Sequence, residues 1–431
     1  MFKLTVKEEK IMKMSNDNGN GDSKIIVNGA LTIQPNIIHK KGFETPETGG
    51  WNISKIKNLK NNLIIGVFEK SEINFFDEEY TEEEVESIYF VGSYALQSGL
   101  KTVGLNIDVD EDKINNPITV ISTLGYAAAQ AVKERVLELE KSLGRPFAIE
   151  DIDSIGDLDL KVDLTTSLPA RIYSLAKADT LASKFKNKEF KLKIYVPNNK
   201  FVNVKIKFNN VGVVSEGVTT VYYLANIKNN IFDEFNKNND DIKIDNEFFR
   251  NPNNTILHVA IGSGTTEYPR TNGYDWDDVY KTGSKNGTGH AIKDALKVLD
   301  KIEGTQNIRN PKAIERILKN KGKEKDGTKT LFYNELKKSL TMPLMTQVDE
   351  IMDHIIEELN RGPQISLVVI YGGGSILMKP ILKKRIMELQ ETRRLKFLYI
   401  PEEYAVNLEA YGLYTLVSSP DFAGNSSLRS K

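Results

Sequence analysis

The stretch His258-Val259-Ala260-Ile261-Gly262-Ser263-Gly264-Thr265-Thr266-Glu267 decides how this chain reads. An apolar strand runs straight into Gly-x-Gly-Thr-Thr, which sets backbone donors and two hydroxyls at the strand's end. Glycine leaves the backbone uncovered, so phosphate oxygens can approach the N–H groups. A plain β-hairpin turn is the competing reading, although a double threonine after Gly-x-Gly is unusual for one.

Two more glycine-rich stretches lie near the ends of the chain. Asp17-Asn18-Gly19-Asn20-Gly21-Asp22-Ser23-Lys24 has the spacing of a hairpin that turns its amides toward phosphate, with Lys24 as a point charge. Asp17 repels phosphate, so its natural task is to hold magnesium, directly or through water. Alone, the segment is weak evidence, because an Asn/Gly-rich stretch is more often just a turn. Ile370-Tyr371-Gly372-Gly373-Gly374-Ser375 follows an apolar strand and precedes the helical pattern Ile376–Leu389, so a ligand can pack on bare backbone at a helix N-terminus. Its plain alternative is a tight strand–helix connection. Neither a P-loop nor an early Gly-x-Gly-x-x-Gly is present. One such loop near each end and one in the middle is the informative order.

The bulk composition narrows the classes. With 431 residues the chain has room for two domains. Its 59 acidic residues nearly cancel 58 basic ones, so no global field draws it to nucleic acid or an anionic membrane. A DNA role would run through a partner. The absence of cysteine excludes disulfides and thiolate chemistry and fits a reducing cytoplasm. Met1–Ser15 is charged and does not read as a signal peptide. His39, His258, His290 and His354 show no metal-ligand spacing and read as structural.

Periodicity gives the coarse architecture. Lys24–Gln34 reads as a strand pair. Pro117–Leu143 reads as a helix with Ala128, Val132, Val136, Leu139 and Leu143 on one face, Lys133, Glu134 and Glu138 on the other, and a stop at Gly144. Leu192–Val196 and Phe201–Phe208 flank Pro197-Asn198-Asn199 as a hairpin. Met342–Leu359 reads as an amphipathic helix leading into the strand Ile365–Tyr371. Asn236–Asp241 and Lys319–Lys329 read as solvated loops, inside insertions spanning Asn229–Asn254 and Lys319–Thr330. Strands and helices interleave, so the class is α/β.

The loop order resembles the superfamily of actin, the heat-shock chaperone ATPases and the sugar kinases, and within it the plasmid-segregation actins of the ParM type. Four features carry the resemblance: Asp17-Asn18-Gly19-Asn20-Gly21; Thr166-Ser167-Leu168-Pro169; Ser215-Glu216-Gly217; and Ile261-Gly262-Ser263-Gly264-Thr265-Thr266-Glu267. It spans roughly Lys13 to Phe422. The resemblance implies a two-domain actin-like fold with the nucleotide cleft between the domains, domain I being 1–225 plus 396–431 and domain II 226–395. It implies ATP or ADP with Mg2+, polymerisation into a homopolymeric filament and hydrolysis within it. It also implies a ParR-type adaptor that contacts plasmid centromere DNA, which the filament would touch only indirectly, and no membrane.

Residue by residue, the resemblance makes Asp17 the magnesium-organising acid, and Gly19, Asn20, Gly21 and Lys24 phosphate contacts. Gly262, Ser263, Gly264, Thr265 and Thr266 would cradle phosphate. Gly372, Gly373, Gly374 and Ser375 would line the nucleoside, with Leu377 or Met378 on the base. Glu216 would orient the attacking water, since phosphoryl transfer depends on positioning and charge stabilisation; a surface glutamate at a helix N-terminus is its plain alternative. One departure stands out: the acid that the second phosphate motif normally carries two residues before its first glycine is Ala260 here. Either Asp17 and Glu216 suffice, Glu267 reaches in, or hydrolysis is slow. Two other functions remain open: a small-molecule kinase of the sugar or acetate type, with Asp163 as a candidate base, and a non-hydrolysing nucleotide-binding scaffold. A heat-shock-type chaperone fits poorly, because only a short polar tail follows Phe422.

Overall fold

Asparagine in the left-handed region sets the strand pairing of the first part of the chain. Asn28 (φ 47°) and Gly29 (φ 84°) form one turn; Asn198 (φ 67°) and Asn199 (φ 56°) form another. Two successive positive φ values match the right-handed twist of the strands they join, and asparagine tolerates them at little cost. The structure, a computed structural model, describes residues 10–42, 44–72, 82–106, 109, 111–228, 231–276, 278–299, 314, 317–318 and 327–423.

Among these, the chain divides into two compact units. The first takes residues up to Ser167, Ser174–Val213 and those from Leu413; the second takes Leu168–Tyr173 and Val214–Gly412. Residues 168–173, 214–225 and 396–412, which the sequence reading places in domain I, group with the second unit.

Ten strands form the sheet of the first unit: β1 (Ile11–Asn18), β2 (Asp22–Val27), β3 (Ala30–Pro35), β4 (Ile37–Gly42), β5 (Leu63–Glu72), β6 (Glu82–Val91), β7 (Val103–Gly104), β8 (Leu158–Leu168), β9 (Glu189–Val196) and β10 (Lys200–Ser215). Their order is β3-β2-β1-β8-β10-β9-β5-β6-β4-β7. β1 runs antiparallel to β2 and parallel to β8. The helix Ile118–Leu143 packs on this sheet and ends at Gly144 in the left-handed conformation, the stop foreseen from sequence. Ala128, Val132 and Val136 are buried, whereas Leu143 is exposed. Glu134, expected on the solvent side, is half-buried and accepts hydrogen bonds from Asn28 and Gln130.

The second unit is built on β11 (Thr255–Ile261), β12 (Thr266–Glu267), β13 (Arg270–Asn272), β14 (Asp275–Trp276), β15 (Gly283–Ser284), β16 (Leu367–Tyr371) and β17 (Phe397–Tyr399). The parallel trio β11, β16 and β17 forms its centre. Side chains alternate across it, as a two-residue period requires. Leu257, Val259, Ile261, Val368 and Ile370 join one core with the helices Thr288–Leu299, Gly327–Asn360 and Gly373–Thr392. Ile256, Leu367, Val369 and Tyr371 join a second core on the other face. Helices therefore cover both faces, the arrangement expected of parallel strands buried on two sides.

Two loop expectations change. Within 229–254, the structure has helices Asp233–Lys237 and Asn246–Arg250 that carry Phe235 and Phe249 into the second core; Asn229 and Asn230 lie outside the described residues. Residues 319–326 also lie outside them, but Gly327–Thr330 already belong to a helix that continues through Pro343 to Asn360, not one starting at Met342.

One buried ion pair stabilises the second unit's rim. Arg270 is 1% exposed and donates from Nη2 to the Glu358 carbonyl and, at 3.2 Å, to its carboxylate. Thr282 and Arg361 donate to the other Glu358 oxygen. Removing the acid would strand a buried guanidinium, so Glu358→Ala is expected to cost about 3–5 kcal/mol in urea unfolding; a loss below about 1 kcal/mol would mean that the pair is dispensable.

Candidate nucleotide site

The first-unit loop is a strand turn held from several sides. In the β1–β2 register Asp17 faces Lys24 and Asn18 faces Ser23. Lys24 Nζ lies 2.8 Å from Asp17 Oδ2. Asn18 donates to Thr119 and accepts from Ser23, and Asn36 donates to the Gly19 carbonyl. A Cβ at Gly19 would come within 2.9 Å of the Asp22 carbonyl, so this position requires glycine for packing as well. Gly19, Asn20 and Gly21 themselves are half-exposed. Asp17 and Lys24 thus neutralise one another here, and Asp17 and the half-exposed Asp22 are the two carboxylates of the motif.

No group of three or more His, Cys, Asp or Glu side chains with metal-holding geometry occurs among the described residues. A single carboxylate still fits magnesium, which keeps several waters and commonly uses one or two carboxylates with substrate phosphates. It does not fit an all-protein metal cage.

In the second unit, the other two loops meet. β11 and β16 are parallel and in register, with Ala260 beside Tyr371. Their following loops therefore leave the sheet at the same edge, where α/β proteins place ligands. A Cβ at Gly372 (φ 95°) would lie 2.3 Å from the Ile261 carbonyl, and one at Gly374 would lie 2.8 Å from the Gly262 carbonyl. These two glycines are required by the contact between the loops. Gly373 differs: it is exposed, and a Cβ there meets nothing within 4 Å. Ser375 is turned inward, donating to the Gly372 carbonyl. Met378 is fully buried in the core, so of the two candidates for packing on a base only Leu377 has exposed surface.

The Gly262–Thr266 turn closes with Gly262 N donating to the Thr265 carbonyl. Thr266 donates to the Asn286 carbonyl. Gly289 N donates to the Ser263 carbonyl at 2.7 Å, and a Cβ at Gly287 would lie 2.5 Å from that same oxygen. The start of the helix Thr288–Leu299 is thus part of the loop's support. The sequence reading missed Asn286-Gly287-Thr288-Gly289, although its paired glycines before a helical pattern were the available signal.

Glu216 and Glu267 are close enough to influence one another. Glu216 follows β10, and its amide donates to the Leu168 carbonyl at 2.7 Å. Glu267 is 2% exposed and pairs directly with Ala260 across β11 and β12, so the two side chains share one face. Its Oε2 accepts from Ala170 N at 2.9 Å, and its Oε1 has no hydrogen-bond partner. Burial first, and the Glu216 carboxylate second, push the Glu267 carboxyl up to about 8. His258, also fully buried, is held down at about 3 by desolvation and is neutral.

Asp163 is not a free base. It is 1% exposed and takes the Lys13 ammonium on one oxygen, with the Asn209 side chain and the Asn210 amide and side chain on the other.

No helix among the described residues is long and apolar enough to cross a membrane. No protein-family model matches the sequence, and no curated protein does. Solved structures do match. The actin-like protein Alp7A superposes with a TM-score of 0.62 at 16% identity, over 95% of this chain and 96% of that one. Bacillus thuringiensis ParM with ATP gives 0.56 at 12% identity, over 95% and 98%. An archaeal actin homolog in complex with ADP gives 0.56 at 15% identity, over 94% and 98%.

The raised Glu267 carboxyl has a measurable consequence. Its folded-state value exceeds the usual carboxylate range, so its contribution to stability is complete below about pH 4.5 and is lost as pH rises toward 8. Glu267→Gln should therefore gain in melting temperature relative to the native protein between pH 5 and pH 8. Parallel pH profiles would show that the native carboxyl is already ionised. Across this range of related structures, at identities this low, it is the fold that is shared: the chain has the actin-like α/β fold.

Proposed function

We propose that this protein is an ATP-dependent, filament-forming ATPase that moves plasmid DNA through a DNA-binding adaptor of the ParR type in the cytoplasm. The observation that carries the reading is the meeting of two glycine loops at the ends of adjacent parallel strands, with Gly373 left open, inside an actin-like fold. Gly262, Ser263, Gly264, Thr265 and Thr266 would hold phosphate through backbone amides and hydroxyls. Gly372, Gly373, Gly374 and Ser375 would line the nucleoside, with Leu377 against the base. Gly19, Asn20, Gly21 and Lys24 would contact phosphate, and Asp17 would hold the waters of magnesium, which supplies charge neutralisation when bound. Glu216 would orient the attacking water.

The engaged state of Asp163 weighs against a small-molecule kinase, because an acceptor's proton needs a free base. Ala260 keeps the non-hydrolysing scaffold in play as a second reading. Light scattering after addition of ATP and magnesium, with phosphate release followed in parallel, distinguishes them. Scattering above a critical protein concentration with phosphate release is expected. Acceptor-dependent ADP formation without scattering would point to the kinase, and binding with neither to the scaffold.

Two substitutions probe the site. Gly373→Ala meets no protein atom, so it should leave the melting temperature unchanged while weakening ATP binding by about tenfold, the effect of a misplaced contact worth about 1.4 kcal/mol. Unchanged affinity would remove Gly373 from the site. Ala260→Asp places a carboxyl opposite Glu267, whose neutral state limits repulsion at pH 7. ATP turnover should rise if a magnesium-organising acid is missing; an unchanged rate would show that another residue fills that role.

A further inference from the structure

The residue after Glu216 is gripped on both its polar groups. Gly217 has φ 86°, and a Cβ there would lie 2.6 Å from the Pro269 ring, so the turn is confined sterically. Its amide donates to Glu409 Oε2 at 3.1 Å, and Thr219 donates to the other oxygen of Glu409 at 2.9 Å. Its carbonyl accepts two bonds, from the Tyr371 hydroxyl at 3.0 Å and from Thr220 Oγ1 at 2.9 Å. Two donors use both lone pairs of one carbonyl oxygen.

Thr220 continues inward to His258. Nδ1 of His258 lies 3.0 Å from Thr220 Oγ1, and Nε2 lies 2.9 Å from Thr271 Oγ1. Because Thr220 spends its single proton on Gly217, His258 must donate from Nδ1, and its Nε2 then accepts from Thr271. The arrangement is proton-consistent throughout and almost wholly buried. It has one rigid branch: Tyr371, whose next residue is Gly372. The aromatic ring is fixed in the core, so a shift of the backbone at 371–372 is passed to its hydroxyl and from there to Gly217.

We propose that Tyr371 is a positioning residue that couples the nucleoside loop Gly372–Ser375 to Glu216. Nucleoside held on that loop fixes Tyr371, and Tyr371 fixes the turn that aims the Glu216 carboxylate. The coupling rests on the nucleotide reading above, and its chemical signature is specific. A diphosphate, which lacks the terminal phosphate near which Glu216 is proposed to act, still orders residues 216–220.

Hydrogen–deuterium exchange of the full chain with and without ADP tests this without any substitution. ADP is expected to slow exchange at Gly372–Ser375, at Gly262–Thr266 and also at Glu216–Thr220. Tyr371→Phe removes only the hydroxyl. It should keep protection at both glycine loops, lose it at Glu216–Thr220, and lower kcat for phosphate release by about fivefold with KM little changed, the effect of one lost hydrogen bond. A purely structural tyrosine would lower the melting temperature but leave protection at Glu216–Thr220 and kcat intact, which overturns the coupling. So does protection of the glycine loops in the native protein without any at Glu216–Thr220. If ADP protects neither glycine loop, the nucleotide reading itself fails, and the coupling falls with it.

Discussion

The parallel pairing of β11 with β16, in the register that sets Ala260 beside Tyr371, is the constraint on which the second unit's site depends. Parallel strands end at the same edge of a sheet, so both following loops emerge together. The pairing then demands that the loops interpenetrate, and they do so only because positions 372 and 374 lack a Cβ. A slip of one residue would exchange the faces of β16. Tyr371 would then enter the apolar core with Ile261 and Met378, and its hydroxyl would lose Gly217.

The two faces of that sheet differ in chemistry. One is lined by Leu257, Val259, Ile261, Val368 and Ile370 and is packed by long helices. The other carries His258 and Tyr371 among its apolar residues, and Ala260 shares that face with Glu267. Buried polar groups cost free energy unless partnered, and a fully satisfied network rigidifies its surroundings. His258, Thr220, Thr271 and Tyr371 satisfy one another around the Gly217 carbonyl. Glu267 differs: one of its oxygens has no hydrogen-bond partner, and burial together with the nearby Glu216 carboxylate holds its carboxyl neutral. The polar face thus contains a rigid part beside Glu216 and a titratable part beside the Gly262–Thr266 turn.

Much of this organisation was legible in the sequence, where a local rule sufficed. Helix Ile118–Leu143 was announced by its period and by Gly144. Leu143 misled because the helix outlasts the surface it packs on, which no period reveals. The apolar period placed a helix start at Met342, yet the helix already runs from Gly327 and continues through Pro343. Asparagine and lysine masked the helices of residues 231–254, although Phe232, Phe235 and Phe249 were spaced to be buried. The glycine loops were legible as a class. Their division of labour was not, since only contact with Ile261 and Gly262 distinguishes Gly372 and Gly374 from Gly373. Pairs such as Tyr371 with Gly217, or Glu267 with Ala170, join residues far apart in sequence, and strand register decides them.

Ala260 and Glu267 are best understood together. They are cross-strand partners on one face, and Glu216 lies near enough to raise the Glu267 carboxyl further. A third carboxylate at position 260 would enter a place where burial already opposes charge, and it would depend on Glu267 keeping its proton. With alanine at 260, a single neutral carboxyl occupies the buried position and accepts the Ala170 amide, while Glu216, half-exposed, is left as the acid nearer to solvent. The departure at 260 therefore reads as one side of an electrostatic arrangement whose other side is Glu267. Alanine on the strand before the glycine turn faces Glu267 on the strand after it, and ionisation of that carboxyl as pH rises toward 8 adds negative charge beside this turn.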